Sequence, residues 1–252
     1  CHKNDGDNYD HTMPGHGLTS QEGDVACSDC HGETPHGGLL DTHAERVACQ
    51  TCHIPAFSRA MPTKTLWEWE TAGMKLPVTF DEYGKPLYDN MKGTFEWGKN
   101  VRPEIAWFNG KWRRAFIGDA DTYSGPGPVM LAEPVGAKGD ATAKLYPFKV
   151  MRGNQIADTG NQRIITPHLF GTATGYYPFW GAWNWALSIA EGAIASGVDY
   201  SGQYGFVDTE MYMSLNHEVA PAGAALGCLD CHGGEGLDWE GLGYDENPYP
   251  IK

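Results

Sequence analysis

Four places in the chain set a cysteine directly before a histidine. Three are complete five-residue strings: CSDCH (Cys27 to His31), CQTCH (Cys49 to His53) and CLDCH (Cys228 to His232). The fourth is the opening pair, Cys1-His2, which reads as the tail of a string whose first cysteine lies upstream. That reading makes the chain a fragment and accounts for its odd count of 7 cysteines.

Three chemistries use paired cysteines. Cys27-x2-Cys30-x18-Cys49-x2-Cys52 falls within zinc-ribbon spacing. A secreted disulfide framework is the second option, although a CxxC pair is a poor structural bridge. Covalent haem c is the third: two thiols add to the vinyl groups, and the adjoining histidine reaches the iron from the same side. The histidines decide. Zinc ribbons need no histidine after the second cysteine, yet every complete pair has one. With 10 histidines in the chain, that coincidence has a chance on the order of 1 in 10,000, so haem is the reading.

The cofactor-binding residues are then Cys1, Cys27, Cys30, Cys49, Cys52, Cys228 and Cys231, with His2, His31, His53 and His232 as proximal ligands. Six histidines remain: His11, His16, His36, His43, His168 and His217. Four haems with two imidazoles each need four of them, and the surplus of two points to haems attached upstream or to surface roles. His36 follows His31 too closely to cross to the far face of the same iron, so it serves another haem. The same logic gives His43, just before Cys49, to a neighbouring group.

The elements that position these groups read unevenly. Up to residue 60 the large core formers are few (Leu18, Val25, Leu39, Leu40, Val47, Ile54 and Phe57), too few to offset chain entropy alone. Apolar macrocycles would fill that gap. A unit of about 60 residues has a radius of gyration near roughly 10 Å, so irons within it stand close enough to exchange electrons.

Residues 61–225 carry no attachment string and hold most of the tryptophans. IAWFNGKWRR (Ile105 to Arg114) predicts a hairpin with a type I′ turn at Asn109-Gly110. Lys144 to Pro167 predicts strand, turn and strand around Gly153 and Gly160. Gly181 to Gly197 predicts a helix with Trp183, Leu187, Ala190 and Ile194 on one face, and a second helix is expected over Thr209 to Val219. Lys111, Arg113, Arg114, Lys149 and Arg152 read as a solvated strand face or an attractor for an anion. Asn4 to Asp10 reads as linker, lacking EF-hand spacing. The organisation expected is a haem-rich segment at 1–60, an aromatic-rich haem-free insert at 61–225 and a haem-attachment segment at 226–252. The fold class expected is a multihaem c-type cytochrome, haem-packed, largely irregular and α-helical, with small β-hairpins in the insert.

The formal charge of −14 and the lack of a basic stripe argue against nucleic acid. No apolar run is long enough for a transmembrane segment. Haem c is attached outside the cytoplasm, which predicts a periplasmic or extracellular protein.

ACQTCHIP (Ala48 to Pro55), YPFKVMRG…ITPHLFG (Tyr146 to Gly171) and YGFVDTEMY…NHEVAP…CLDCHG (Tyr204 to Gly233) resemble the tetrathionate reductase family of octahaem c-type cytochromes, in its C-terminal portion. The resemblance implies a periplasmic protein with eight haems, mostly bis-histidine, one of them lysine-ligated and catalytic. It also implies reduction of tetrathionate, nitrite or hydroxylamine. The catalytic haem falls outside this chain, and no residue here is assigned as its lysine. Two functions follow. One is an oxidoreductase feeding electrons from partner cytochromes or a quinol-linked donor to a small oxyanion. The other is a non-catalytic electron carrier, or a subunit of a homo-oligomeric extracellular haem filament.

Overall fold

Aromatic and β-branched side chains are frequent from Thr63 to Ser214, and such residues suit a pleated, half-buried surface. What they build is seen in a computed structural model, which describes residues 26–115, 127–171, 176–234 and 236–250. Three short helices come first: α1 (Ser28–His31), α2 (Leu39–Ala44) and α3 (Cys49–His53). Strands β1 (Thr63–Glu68), β2 (Tyr88–Asp89), β3 (Gly93–Gly98), β4 (Glu104–Phe108), β5 (Lys111–Arg114), β6 (Val129–Val135), β7 (Lys144–Asp158) and β8 (Arg163–Ile164) follow. Helices α4 (Phe179–Ala182) and α5 (Trp185–Ser196) precede the last strand, β9 (Tyr204–Ser214), and α6 (Cys228–His232) comes after it.

The strands form one nine-stranded mixed sheet, ordered β2-β3-β1-β7-β9-β6-β5, with β4 and β8 also paired to β7. The 15-residue β7 organises it. One edge runs antiparallel to β9 from Phe148↔Ser214 to Asp158↔Tyr204. Its other edge takes β4 antiparallel, then β1 parallel from Leu66↔Arg152 to Glu68↔Asn154, then β8. The fold is therefore not the largely irregular and α-helical, haem-packed arrangement with small hairpins that the sequence led us to expect. A mixed sheet carries it.

Two local readings change for the same reason. The segment expected as a helix from Thr209 is the second half of β9, because pairing with β7 along the whole of β9 outweighs the helix propensity of its Met and Glu residues. At Asn109-Gly110 the chain does turn, with Gly110 at φ +86°. The flanking strands nevertheless part company: β4 joins β7, and β5 joins β6. Asn109 spans the divergence, its N–H donating to Val135 O at 2.8 Å and its Nδ2 to Asp140 Oδ2 at 2.8 Å. The turn at Gly160 is present, whereas Gly153 lies inside β7. There a side chain would strike Trp67 O of the neighbouring strand, its Cβ only 2.8 Å away.

Helix α5 also faces otherwise than expected. Ser188, Ile189, Gly192 and Ala193 are its buried residues, while Ile194 is 82% exposed. Gly192 allows the contact, since a Cβ there would lie 1.9 Å from Thr166 O. Ser188 Oγ donates to His168 O at 2.7 Å, and His168 N donates back to Ser188 O at 2.9 Å. Asn184 caps the start by accepting from Leu187 N at 3.1 Å.

The core sits on both faces of β7. Phe108, Tyr146 and Phe148 enclose Ala48, which directly precedes α3. Trp107, Ala143, Leu145 and Leu242 form a second cluster that reaches the C-terminal segment, and Ile156, Ile165, Ile189 and Ala193 a third beneath α5. Among the described residues no helix is long and apolar enough to cross a membrane.

Candidate functional site

In a helix, residues three and four apart share a face. Each complete string is wound into such a turn, as α1, α3 and α6 with their leading residues, so two thiols and a histidine project together. The residue before the second cysteine holds each turn. Asp29 Oδ2 accepts from Ala26 N at 3.0 Å, and Asp230 Oδ2 accepts from Gly227 N at 2.7 Å. Both carboxylates satisfy an N–H that the helix start leaves open. In the middle string Thr51 takes that place, buried, and its Oγ1 donates to Leu145 O of β7 at 2.8 Å. The backbone of Ala48 donates to the same oxygen at 2.9 Å. Thus α1 and α6 are closed by their own carboxylates, whereas α3 is bolted to the sheet. Sequence reading passed over these three positions, although an acceptor or hydroxyl side chain recurs at each.

The strings converge. Leu226 N donates to Cys52 O at 2.9 Å and Ala220 N to His53 O at 2.7 Å, which seats the approach to α6 beside α3. Arg59 Nη2 donates to Glu218 O and Arg102 Nη2 to Asp230 O, each at 2.5 Å. No disulfide joins the described cysteines. Burial pushes the Cys52 thiol up to about 11, aided by Cys231, Cys49 and Cys228. Burial likewise raises Cys27, with Cys49 its next contributor, and Cys231.

The imidazoles form pairs. His36 and His53 have ring centroids 5.9 Å apart with planes at 22°. His43 and His232 stand 6.3 Å apart with planes at 81°. A metal–imidazole bond is roughly 2 Å long and a ring nitrogen lies roughly 1 Å from its centroid, so imidazoles on opposite sides of one ion sit roughly 6 Å apart. In three of these rings Nδ1 faces an oxygen: His43 with Leu39 O at 3.0 Å, His53 with Ala220 O at 3.1 Å, and His232 with Asn247 Oδ1 at 3.1 Å. Nδ1–H donation to oxygen leaves Nε2 as the metal-binding nitrogen. His36 is set by Asp41, whose carboxylate accepts from His36 N and Gly37 N at 3.0 and 2.7 Å.

Among the described residues, no group of three or more His, Cys, Asp or Glu side chains is gathered to hold a metal ion unaided. Paired imidazoles beside paired thiols are what an ion already carried in a macrocycle needs, so the residues present fit haem c.

The remaining candidates are placed differently. His31 and His217 are exposed. His168 has Nδ1 on Glu191 Oε2 at 2.7 Å and Nε2 on Phe170 O at 2.8 Å. Cys1, His2, His11 and His16 lie outside the described residues, as does the Asn4 to Asp10 linker. Of the basic residues, Arg113 pairs with Glu133, and Arg152 pairs with Glu104 and Glu210 at 2.8 and 3.1 Å. Lys149 donates to Thr63 Oγ1 at 2.5 Å, and burial lowers its pKa. A cavity of about 560 Å³ opens where β4 and β6 meet the C-terminal segment. Its charged lining is Glu104, Glu133 and Asp238 against Arg102, a balance unsuited to an anion.

A family model described as bacterial cytochrome c matches residues 64–235. Among solved structures, the octahaem cytochrome c from Shewanella oneidensis is similar, with a TM-score of 0.82 and 41% sequence identity. The match covers 91% of this chain and 54% of that one, so the chain spans about half the length of this relative. A comparison with curated proteins finds no match.

Proposed function

The chain belongs to the bacterial cytochrome c family, and from that premise we propose how it handles electrons. It is a c-type cytochrome, and the family implies haem c and electron transfer. In our reading, Cys27 and Cys30, Cys49 and Cys52, and Cys228 and Cys231 each bind one haem. His31, His53 and His232 are the proximal ligands. His36 would pair with His53 to hold one iron, and His43 with His232 to hold another. The imidazole separations of 5.9 and 6.3 Å carry this reading. Bound haem supplies a one-electron iron couple. The chain supplies placed ligand rings, the anchorage of α3 on the sheet, and close approach of the α3 and α6 sites. The hydrogen bonds from Leu226 N to Cys52 O and from Ala220 N to His53 O support adjacency of those two haems.

We read the whole protein as an octahaem reductase of small sulfur or nitrogen oxyanions such as tetrathionate, nitrite or hydroxylamine. It would work in the periplasm or outside the cell and draw on a partner cytochrome or a quinol-linked donor. Within it, this chain conducts. In our reading two of its irons would be held by imidazole pairs, and Arg113 and Arg152 of the insert are paired with acids, which supports placing the substrate-binding iron elsewhere. That same pairing favours the second reading, a non-catalytic carrier or filament subunit. Intact mass of the purified chain tests the attachment, with one haem expected for each complete string. A colourless protein, or zinc on the thiols, would overturn it. Nitrite or hydroxylamine added to the ferric full-length protein separates the two functions. A spectral change supports the reductase, and a wholly low-spin, unresponsive spectrum leaves the carrier.

A further inference from the structure

Thioether bonds fix the backbone of a CxxCH turn but leave its histidine free to rotate about its side-chain torsions. The ring must therefore be aimed by something outside the string. For His53 that partner is a backbone carbonyl, Ala220 O. For His232 it is a side chain, Asn247, and the contact is double. Asn247 Nδ2 donates to the carbonyl oxygen of His232 at 2.9 Å, while Asn247 Oδ1 faces His232 Nδ1 at 3.1 Å.

The first of these bonds decides the second. A carbonyl oxygen only accepts, so the amide end that meets it is the NH2 group. The end that meets the imidazole is then the oxygen, which also only accepts. Tyr249 N donates to that same oxygen at 3.0 Å, consistent with this orientation. A neutral His232 therefore carries its hydrogen on Nδ1 and its lone pair on Nε2. Trp239 lies alongside the ring at 5.1 Å with planes at 20°, which limits rotation on that side.

We propose that Asn247 is the positioning residue of His232, holding it in the one tautomer that can bind iron and setting the reduction potential of the haem at Cys228 and Cys231. This rests on the reading of His232 as a proximal ligand. An accepting oxygen at Nδ1–H makes the imidazole a stronger donor, which favours the ferric state and lowers the potential.

The test uses the haem-loaded chain and three variants, with redox titration followed optically and by the paramagnetic resonance of each ferric haem. Asn247→Leu removes the acceptor and should shift one haem's midpoint upward while the others hold. Asn247→Asp keeps an acceptor and adds negative charge, so the same midpoint should move down. Opposite shifts on one haem support the proposal, because a loosened C-terminal segment has no reason to produce them. Unmoved midpoints in both variants, or shifts of the same sign, overturn it. If Asn247→Leu fails to retain haem, the direction seen in Asn247→Asp decides. His232→Met tests the premise separately. Loss of one bis-imidazole signal upholds it, and an unchanged spectrum overturns the ligand reading and the inference with it.

Discussion

The rings of His43 and His232, from opposite ends of the chain, stand 6.3 Å apart with planes at 81°, whereas His36 and His53 at 5.9 Å are within 22° of parallel. Crossed imidazoles donate equally into both iron π orbitals and leave them nearly degenerate, while parallel ones split them. The oxidised, haem-loaded chain should therefore show two classes of low-spin signal by frozen-solution paramagnetic resonance, one highly anisotropic and one rhombic. His43→Leu should remove only the first and His36→Leu only the second, each with a gain in high-spin absorption. A single class, or loss of the same signal in both variants, would show the pairs to be wrongly assigned.

Asp158 is fully buried and receives N–H groups from Gly160, Asn161 and Ser201 at 3.1, 3.1 and 2.9 Å. The Asn161 amide and the Ser201 hydroxyl also donate to it. Burial pushes its carboxyl up, but the hydrogen bonds from Ser201 and Asn161 outweigh this and hold it below the usual range. A lowered folded-state pKa means the stabilisation is complete above the unfolded value, near roughly 4, and is lost as pH falls through the folded one. Asp158→Ala should cost about 3 kcal/mol in denaturant unfolding at neutral pH. The deficit against wild type should shrink in acid. A constant deficit across pH would remove the ionised carboxylate from the account.

The three strings should respond differently to loss of their holding residue. Thr51→Val removes a buried bond to Leu145 O and should cost about 1 kcal/mol of global stability. Asp29→Ala and Asp230→Ala should instead loosen α1 and α6 locally, each by about 1 kcal/mol. Hydrogen exchange of the Ala26 and Gly227 amides reads that local effect. Equal global losses in all three would mean that α3 is not uniquely tied to the sheet.

Gly192 and Ile194 test the orientation of α5. Gly192→Ala drives a methyl group into Thr166 O and should cost about 1–3 kcal/mol. Ile194→Ala, at a largely exposed position, should stay within about 0.5 kcal/mol of wild type. The reverse order of effects in thermal unfolding would restore the helix face read from the sequence.

That helix shows why part of the fold was illegible. Its length and caps at Asn184 and Gly197 follow from local residue types. Its buried face depends on Thr166 O lying close enough to exclude a side chain, which no periodicity in Trp183, Leu187, Ala190 and Ile194 reveals. The Asn109-Gly110 turn is similar: the bend is a local property, but the strands leaving it chose β7 and β6, whose positions were set elsewhere.

What the chain determines by itself is the chemistry confined within five residues. Two thiols and a histidine at CxxCH spacing share one helical turn whatever surrounds them, so the cofactor class was readable before any fold was known. The tertiary structure alone decided which imidazole faces which, that α3 is anchored on β7, and that a mixed sheet carries the sites. Those relations join residues far apart along the chain. They exist only because the energy of a long paired strand and its two packed faces outweighs the entropy of closing the intervening loops.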